Sequence, residues 1–282
     1  MASAAAALLT AVLVFVAAPL LTKPDPRTVP ANYTAATIIP RKPPPSSSPS
    51  PTPTLAPIVG MSVGDSLTAG TDPTSPLTSY RMELSRLLRL AGQPHTWNVQ
   101  AIGGTKCSYW ASRMAGLIDT YHPAIIFLNC GTNDVPGVDN TAADYRTILA
   151  AVAARPNTRI VASLIGRPDP DGQANITRWP TIEDWMDTTN TAIRSALADY
   201  PGVPFASMLR IPANAEWLKA DGIHWTARAE AAAGELFYQA AAPGRGWPSM
   251  AALGVHEMCG LSGHDRDDRW PPLDAYRVCR SE

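Results

Sequence analysis

Ser66 is the residue to explain first. It stands in Gly64-Asp65-Ser66-Leu67, directly after the apolar run Pro57-Ile58-Val59-Gly60-Met61. Gly, Asp and Ser are the ordinary residues of a strand-to-helix turn. They also suit a serine nucleophile held on a tight turn. A serine hydroxyl becomes a useful nucleophile when a neighbouring base takes its proton. An imidazole that titrates near neutrality can take that proton and return it to a leaving group. Of the five histidines, only His224 has an aspartate three residues before it across a glycine, in Asp221-Gly222-Ile223-His224. Asp221 can fix the tautomer of that ring and stabilise its charged form. His95, His122, His256 and His264 lack such a context and read as surface or packing residues. Two further polar clusters complete the set: Gly103-Gly104-Thr105 and Gly131-Thr132-Asn133-Asp134.

These clusters need a frame that brings them together. Apolar runs at 57–63, 97–102, 124–130, 158–165 and 203–208 read as strands. Between and after them, 78–91, 110–121, 141–154, 181–200 and 226–242 read as helices; Tyr80, Leu84, Leu87, Leu88 and Ala91 share one helical face. The continuous apolar run 124–130 (AIIFLNC) suits a strand buried on both sides. Alternating strands and helices predict a three-layer α/β domain on a parallel sheet. In such sheets, sites form outside the carboxyl ends of strands. The first three clusters fall at such ends, and the fourth directly precedes the last helix.

On these four blocks the chain resembles the SGNH (GDSL) hydrolases, a family of serine esterases named for Ser, Gly, Asn and His. The likeness spans residues 57–242. It implies a flavodoxin-like fold with a parallel sheet of about five strands. It implies Ser66 as nucleophile, His224 as base and Asp221 as the acid that orients it. Candidate oxyanion donors are the backbone N–H of Ser66, that of Gly104 and the side-chain amide of Asn133. Gly104 is the family's second-block glycine by alignment, with Gly103 as the alternative. Asp65 and Asp134 read as structural acids that tie turns through backbone hydrogen bonds. Tyr109, Trp110, Trp179, Trp185 and Trp225 lie near strand ends; Trp110 and Trp225 are the candidates for substrate contact, against a packing role for each.

The chain has 282 residues and a net charge of −1. Near-neutral charge gives no basic footprint for nucleic acid. No zinc or phosphate-loop spacing occurs, so neither metal nor cofactor is implied. Residues 1–23 are expected to be an apolar signal peptide or a single N-terminal membrane anchor. Residues 24–56, with KPPPSSSPSPTPT at 42–54, read as a semi-rigid stalk. Together they favour an extracellular protein, secreted or membrane-anchored. Residues 243–282 form an extension beyond the family's usual end. Cys259 and Cys279 bracket part of it and are expected to be joined, because it has little apolar surface of its own. Cys107 and Cys130 become neighbours if Gly104 and Asn133 converge; the other reading is a buried, inert thiol at Cys130.

The favoured function is hydrolysis of carboxylic esters through an acyl-serine intermediate. The favoured substrate is a small acyl ester, such as acetyl, of a carbohydrate or cell-wall polymer. A lipid esterase or lysophospholipase is the alternative. From other classes come an acyltransferase and a non-catalytic wall-binding module; the module has no use for Ser66, Asp221 and His224 together.

Overall fold

The computed structural model describes residues 55–70, 79–169 and 182–255. Five strands form one sheet: β1 (Ile58–Gly64), β2 (His95–Ala101), β3 (Ile125–Asn129), β4 (Arg159–Leu164) and β5 (Phe205–Ser207). All neighbours pair in parallel, in the order β2-β1-β3-β4-β5. The helices are α1 (Ser66–Ala69), α2 (Tyr80–Leu90), α3 (Cys107–Ala111), α4 (Met114–Tyr121), α5 (Thr141–Ala153), α6 (Ile182–Ala198) and α7 (Ala227–Arg245). This is the three-layer, doubly wound, flavodoxin-like fold expected from the sequence.

Strand periodicity sorts the core into two faces. Ile125, Phe127 and Val161 pack with Leu84, Leu87, Leu88 and Phe237 on the α2–α7 side. Met61, Val63, Ile126, Leu128 and Ile160 pack with Trp110, Met114, Tyr145 and Ile193 on the other. Strand order reverses between β1 and its neighbours β2 and β3, so the ends of these strands open the crevice where ligands bind in such sheets. Ser66 follows β1, the glycine pair follows β2 and Asn133 follows β3.

Two elements differ from expectation. The helix expected over 110–121 is two helices, α3 and α4. The Ser112 hydroxyl and the Arg113 guanidinium both donate to the Tyr109 carbonyl at the break, drawing that acceptor away from the helical ladder. The last helix runs past residue 242 to Arg245 and ends on Gly246, which has φ 67°. Trp247 and Met250 are then buried in the α2–α7 core. Trp247 stacks on Tyr238 at 5.7 Å and donates to Gln93 Oε1 at 3.1 Å. Residues 243–255 thus belong to the α/β body rather than to a separate extension. Residues 1–54 and 256–282, with the expected Cys259–Cys279 pair, lie outside the described residues. No helix among the described residues is long and apolar enough to cross a membrane.

Gly64 ends β1 where no side chain fits. A Cβ there would stand 2.1 Å from the Asn129 carbonyl oxygen and 2.2 Å from Thr68 Oγ1. Gly64→Ala should therefore destabilise the fold by about 2 kcal/mol or more, read by denaturant titration. A loss within about 0.5 kcal/mol would show that this close approach is not a constraint.

Glu230 on α7 does work that α2 lacks locally. The Ser79 side chain makes no capping bond, and Glu230 Oε2 accepts the Tyr80 N–H at 2.8 Å instead. Burial pushes the Glu230 carboxyl up to about 8, against the Tyr80 bond and the charges of Arg81 and Lys219. The folded state then holds a proton that the unfolded chain releases from about pH 4.5 upward, so this group's contribution falls as pH rises toward 8. Between pH 5 and 8, Glu230→Gln should gain more than about 1 kcal/mol relative to the parent. A pH-independent difference would refute the shift.

Candidate active site

A short hairpin-like loop before α7 presents His224. Leu218 and Trp225 form an antiparallel bridge. Lys219 N–H donates to the His224 carbonyl at 2.7 Å, and Thr226 N–H to the Trp217 carbonyl at 2.9 Å. Within the loop, Asp221 Oδ1 accepts the backbone N–H groups of Ile223 and His224, both at 2.9 Å. Its Oδ2 lies 2.5 Å from His224 Nδ1. Partial burial works to raise the Asp221 carboxyl, but the bonds from the His224 ring and the two N–H groups outweigh it and hold it below the usual range. An ionised carboxylate can only accept, so Nδ1 carries the hydrogen. His224 Nε2 is then the acceptor, and it stands 2.9 Å from Ser66 Oγ. Asp221, His224 and Ser66 form one continuous chain of hydrogen bonds.

Ser66 is the first residue of α1, so its backbone N–H is among those with no partner inside the helix. Asp65 caps this helix: its Oδ1 accepts the Leu67 N–H at 2.9 Å. Its Oδ2 accepts from Asn133 Nδ2 at 3.2 Å. The same amide nitrogen donates to the Thr105 carbonyl at 3.1 Å. The turns after β1, β2 and β3 thus meet on the Asn133 amide. Burial pushes the Asp65 carboxyl up to about 7, against the Leu67 bond and the charge of His224. Sequence reasoning placed Asp65 as a turn acid; its bond to Asn133, a residue distant in the chain, left no local signal.

Both glycines of the second cluster lie on the turn beside Ser66. A Cβ on Gly103 would sit 3.7 Å from Ser66 Cβ, whereas one on Gly104 would meet nothing within 4 Å. Gly103 therefore lies against Ser66. Gly104, at φ 75°, supplies the left-handed step that turns the chain.

The expectation for Trp110 is corrected. It is 1% exposed and packs in the core, with Nε1 donating to Thr105 Oγ1 at 3.1 Å. It braces the loop from behind and has no surface to offer a substrate. Trp225 is mostly buried too, but it borders a small cleft beside the site with Leu67, Thr132, Pro168, Trp185 and Ile223. Trp185 also donates to the Asp134 carbonyl at 2.9 Å. Trp179 lies outside the described residues.

The second and third turns are bound to each other several times over. Asp134 Oδ1 accepts the Cys107 N–H at 2.9 Å, and Oδ2 accepts the Thr141 hydroxyl at 2.7 Å. Lys106 pairs with Asp139 at 2.7 Å. Cys107 and Cys130 are joined in a disulfide, with Cα atoms 5.3 Å apart and both residues buried. Of the two readings open at Cys130, the bridge is the one present. Among the described residues, no group of three or more His, Cys, Asp or Glu side chains is placed to hold a metal ion.

A family model described as the GDSL-like lipase/acylhydrolase family matches residues 62–232. The chain belongs to this family. It is accordingly a carboxylic-ester hydrolase. No curated protein matches the chain. Solved structures with the same fold include a family 3 carbohydrate esterase from Clostridium thermocellum, at 20% identity and TM-score 0.55, covering 67% of this chain and 96% of that one. A psychrotrophic esterase from Pseudoalteromonas, solved inhibited by monoethylphosphonate, aligns at 15% identity and TM-score 0.53, covering 67% and 99%. An acetyl xylan esterase from Geobacillus stearothermophilus aligns at 14% identity and TM-score 0.51, covering 67% and 95%.

The disulfide generates a prediction. Cys107 and Cys130 are 23 residues apart, a loop whose closure is worth about 3 kcal/mol in the chain-entropy model. Cys107→Ala/Cys130→Ala should lose roughly that much stability in a denaturant titration. A loss below about 1 kcal/mol would mean that the neighbouring hydrogen bonds already fix the two loops.

Proposed function

We propose that the protein is a serine esterase working through an acyl-enzyme on Ser66. The observation that carries this reading is the chain Ser66 Oγ–His224 Nε2 at 2.9 Å and His224 Nδ1–Asp221 Oδ2 at 2.5 Å. As Ser66 Oγ attacks the ester carbonyl, its proton passes to Nε2. Asp221 stays ionised and stabilises the imidazolium. The carbonyl oxygen becomes an oxyanion, for which the proposed donors are the backbone N–H groups of Ser66 and Gly104, with Gly103 as the alternative, and the side-chain amide of Asn133. The imidazolium returns the proton to the departing alcohol. Water then repeats the sequence on the acyl-serine and releases the acid.

The favoured substrate is a small acyl ester, acetyl above all, on a carbohydrate or cell-wall glycan. Two observations support it. The cleft lined by Leu67, Thr132, Ile223 and Trp225 is small, which favours a short acyl group. Two proteins of the same fold are named as a carbohydrate esterase and an acetyl xylan esterase. A lipid ester is the second reading, favoured by Ile102 and Val138, which are 47% and 77% exposed on the loops that carry Gly103 and Asn133. The proposal of export, secreted or anchored through residues 1–23, rests on the composition of residues 1–56 and accords with a disulfide.

Kinetics on p-nitrophenyl acetate, butyrate and octanoate, with acetylated xylan alongside, test the reading. The acetate should exceed the octanoate in kcat/KM by at least about tenfold. Ser66→Ala should lower kcat by about 10⁴-fold or more while leaving the melting temperature near that of the parent. An octanoate preference would overturn the small-acyl assignment; turnover above about a tenth of the parent in Ser66→Ala would overturn the nucleophile.

A further inference from the structure

We propose that Asp65 is a positioning residue for the reaction, acting through Asn133: its carboxylate holds the Asn133 amide in register with the nucleophile. The proposal rests on the assignment of Asn133 as an oxyanion donor. Asp65 is adjacent to Ser66 in the chain and fully buried. Its two oxygens serve two elements. Oδ1 accepts the Leu67 N–H and so fixes the first turn of α1, which carries Ser66. Oδ2 accepts from Asn133 Nδ2. One rigid carboxylate therefore sets the distance between the nucleophile's helix and the amide that is to meet the oxyanion.

An amide NH₂ has two hydrogens. In the free enzyme one is directed to Asp65 Oδ2 at 3.2 Å and the other to the Thr105 carbonyl at 3.1 Å. Both bonds are at the long end for N–H···O contacts. The bond to Thr105 is made to a neutral carbonyl in a loop that is partly exposed. The bond to Asp65 is made to a buried acid and is charge-assisted when that acid is ionised. Asp65 therefore keeps its hydrogen, and the hydrogen on the Thr105 side is the one left for the substrate oxygen to accept. The positive charge that forms on His224 during attack favours the ionised form of Asp65. The acceptor is strongest when the oxyanion needs its donor held.

Asparagine at this position would keep the shape but lose one acceptor oxygen. Its single carbonyl cannot accept from both Leu67 N–H and Asn133 Nδ2 in the present geometry. A double-mutant cycle on the acetate ester reads the consequence. Asp65→Asn should lower kcat by about 10–100-fold with KM changed less than about threefold, the pattern of an interaction made in the transition state. Asn133→Ala should lower kcat by about 10²–10³-fold. The double variant should be no slower than Asn133→Ala by more than about twofold, because the effect of Asp65 travels through the missing amide. Multiplicative losses would overturn the proposal and leave Asp65 as a helix cap alone. An unaffected kcat in Asp65→Asn, with Asn133→Ala impaired, would overturn the proposal and spare the oxyanion assignment. An unimpaired Asn133→Ala would overturn both. Should Asp65→Asn not fold, ¹⁵N-labelled parent enzyme gives the answer. With a phosphonate on Ser66, one Asn133 side-chain hydrogen should exchange with water at least about tenfold slower than in a free asparagine side chain. Rapid exchange of both hydrogens would overturn the proposal.

Discussion

The hydrogen bond from Ser66 to His224 joins residues 158 positions apart in the chain, and the fold can be read as the apparatus that makes it. β1 delivers Ser66 to the carboxyl edge of the sheet. The loop before α7 delivers His224 to the same edge, already oriented by Asp221. A serine hydroxyl displaced by an ångström would lose its acceptor, so both supports must be stiff. They are. Ser66 sits on a capped first turn, and the His224 loop closes on itself through three backbone hydrogen bonds and a bridge.

The same edge carries an electrostatic cost that the enzyme retains. Asp65 and Asp134 are buried carboxyls, and burial raises both. Each offsets part of that cost by binding two donors from different segments: Leu67 and Asn133 for Asp65, Cys107 and Thr141 for Asp134. Two acids therefore knit together the turns that follow β1, β2 and β3. The disulfide between Cys107 and Cys130 reinforces the same junction. A site built from loops gains in this way the rigidity of the sheet beneath it.

Much of this was legible in the sequence. The apolar runs gave the five strands and their parallel class, because a strand buried on both faces, such as Ile125–Asn129, has no polar residue to spare before its end. Asp221 and His224 stood out because a base and its orienting acid lie three residues apart around a glycine, and Ser66 because it stands with an acid and a glycine where an apolar run ends. Contacts between distant segments were not legible. Nothing near Asp65 in the chain announces Asn133, and nothing near Tyr80 announces Glu230 as its cap. Gly103 and Gly104 are identical as residues; only their packing distinguishes the one against Ser66 from the one that turns the chain. Trp110 was a fair candidate for a pocket until its burial was known. The reach of α7 past Pro243 was hidden by a residue that usually ends helices.

The central claim is that Ser66 is activated by His224 to form a covalent acyl-enzyme. Peptide mapping by mass spectrometry after exposure to a reactive alkylphosphonate tests it most directly, because such a reagent traps only a serine with an activated hydroxyl. The account predicts a single phosphonylated residue, Ser66, in the native enzyme and no adduct in His224→Gln. Modification at another residue, or labelling of Ser66 that persists unchanged in His224→Gln, would contradict it.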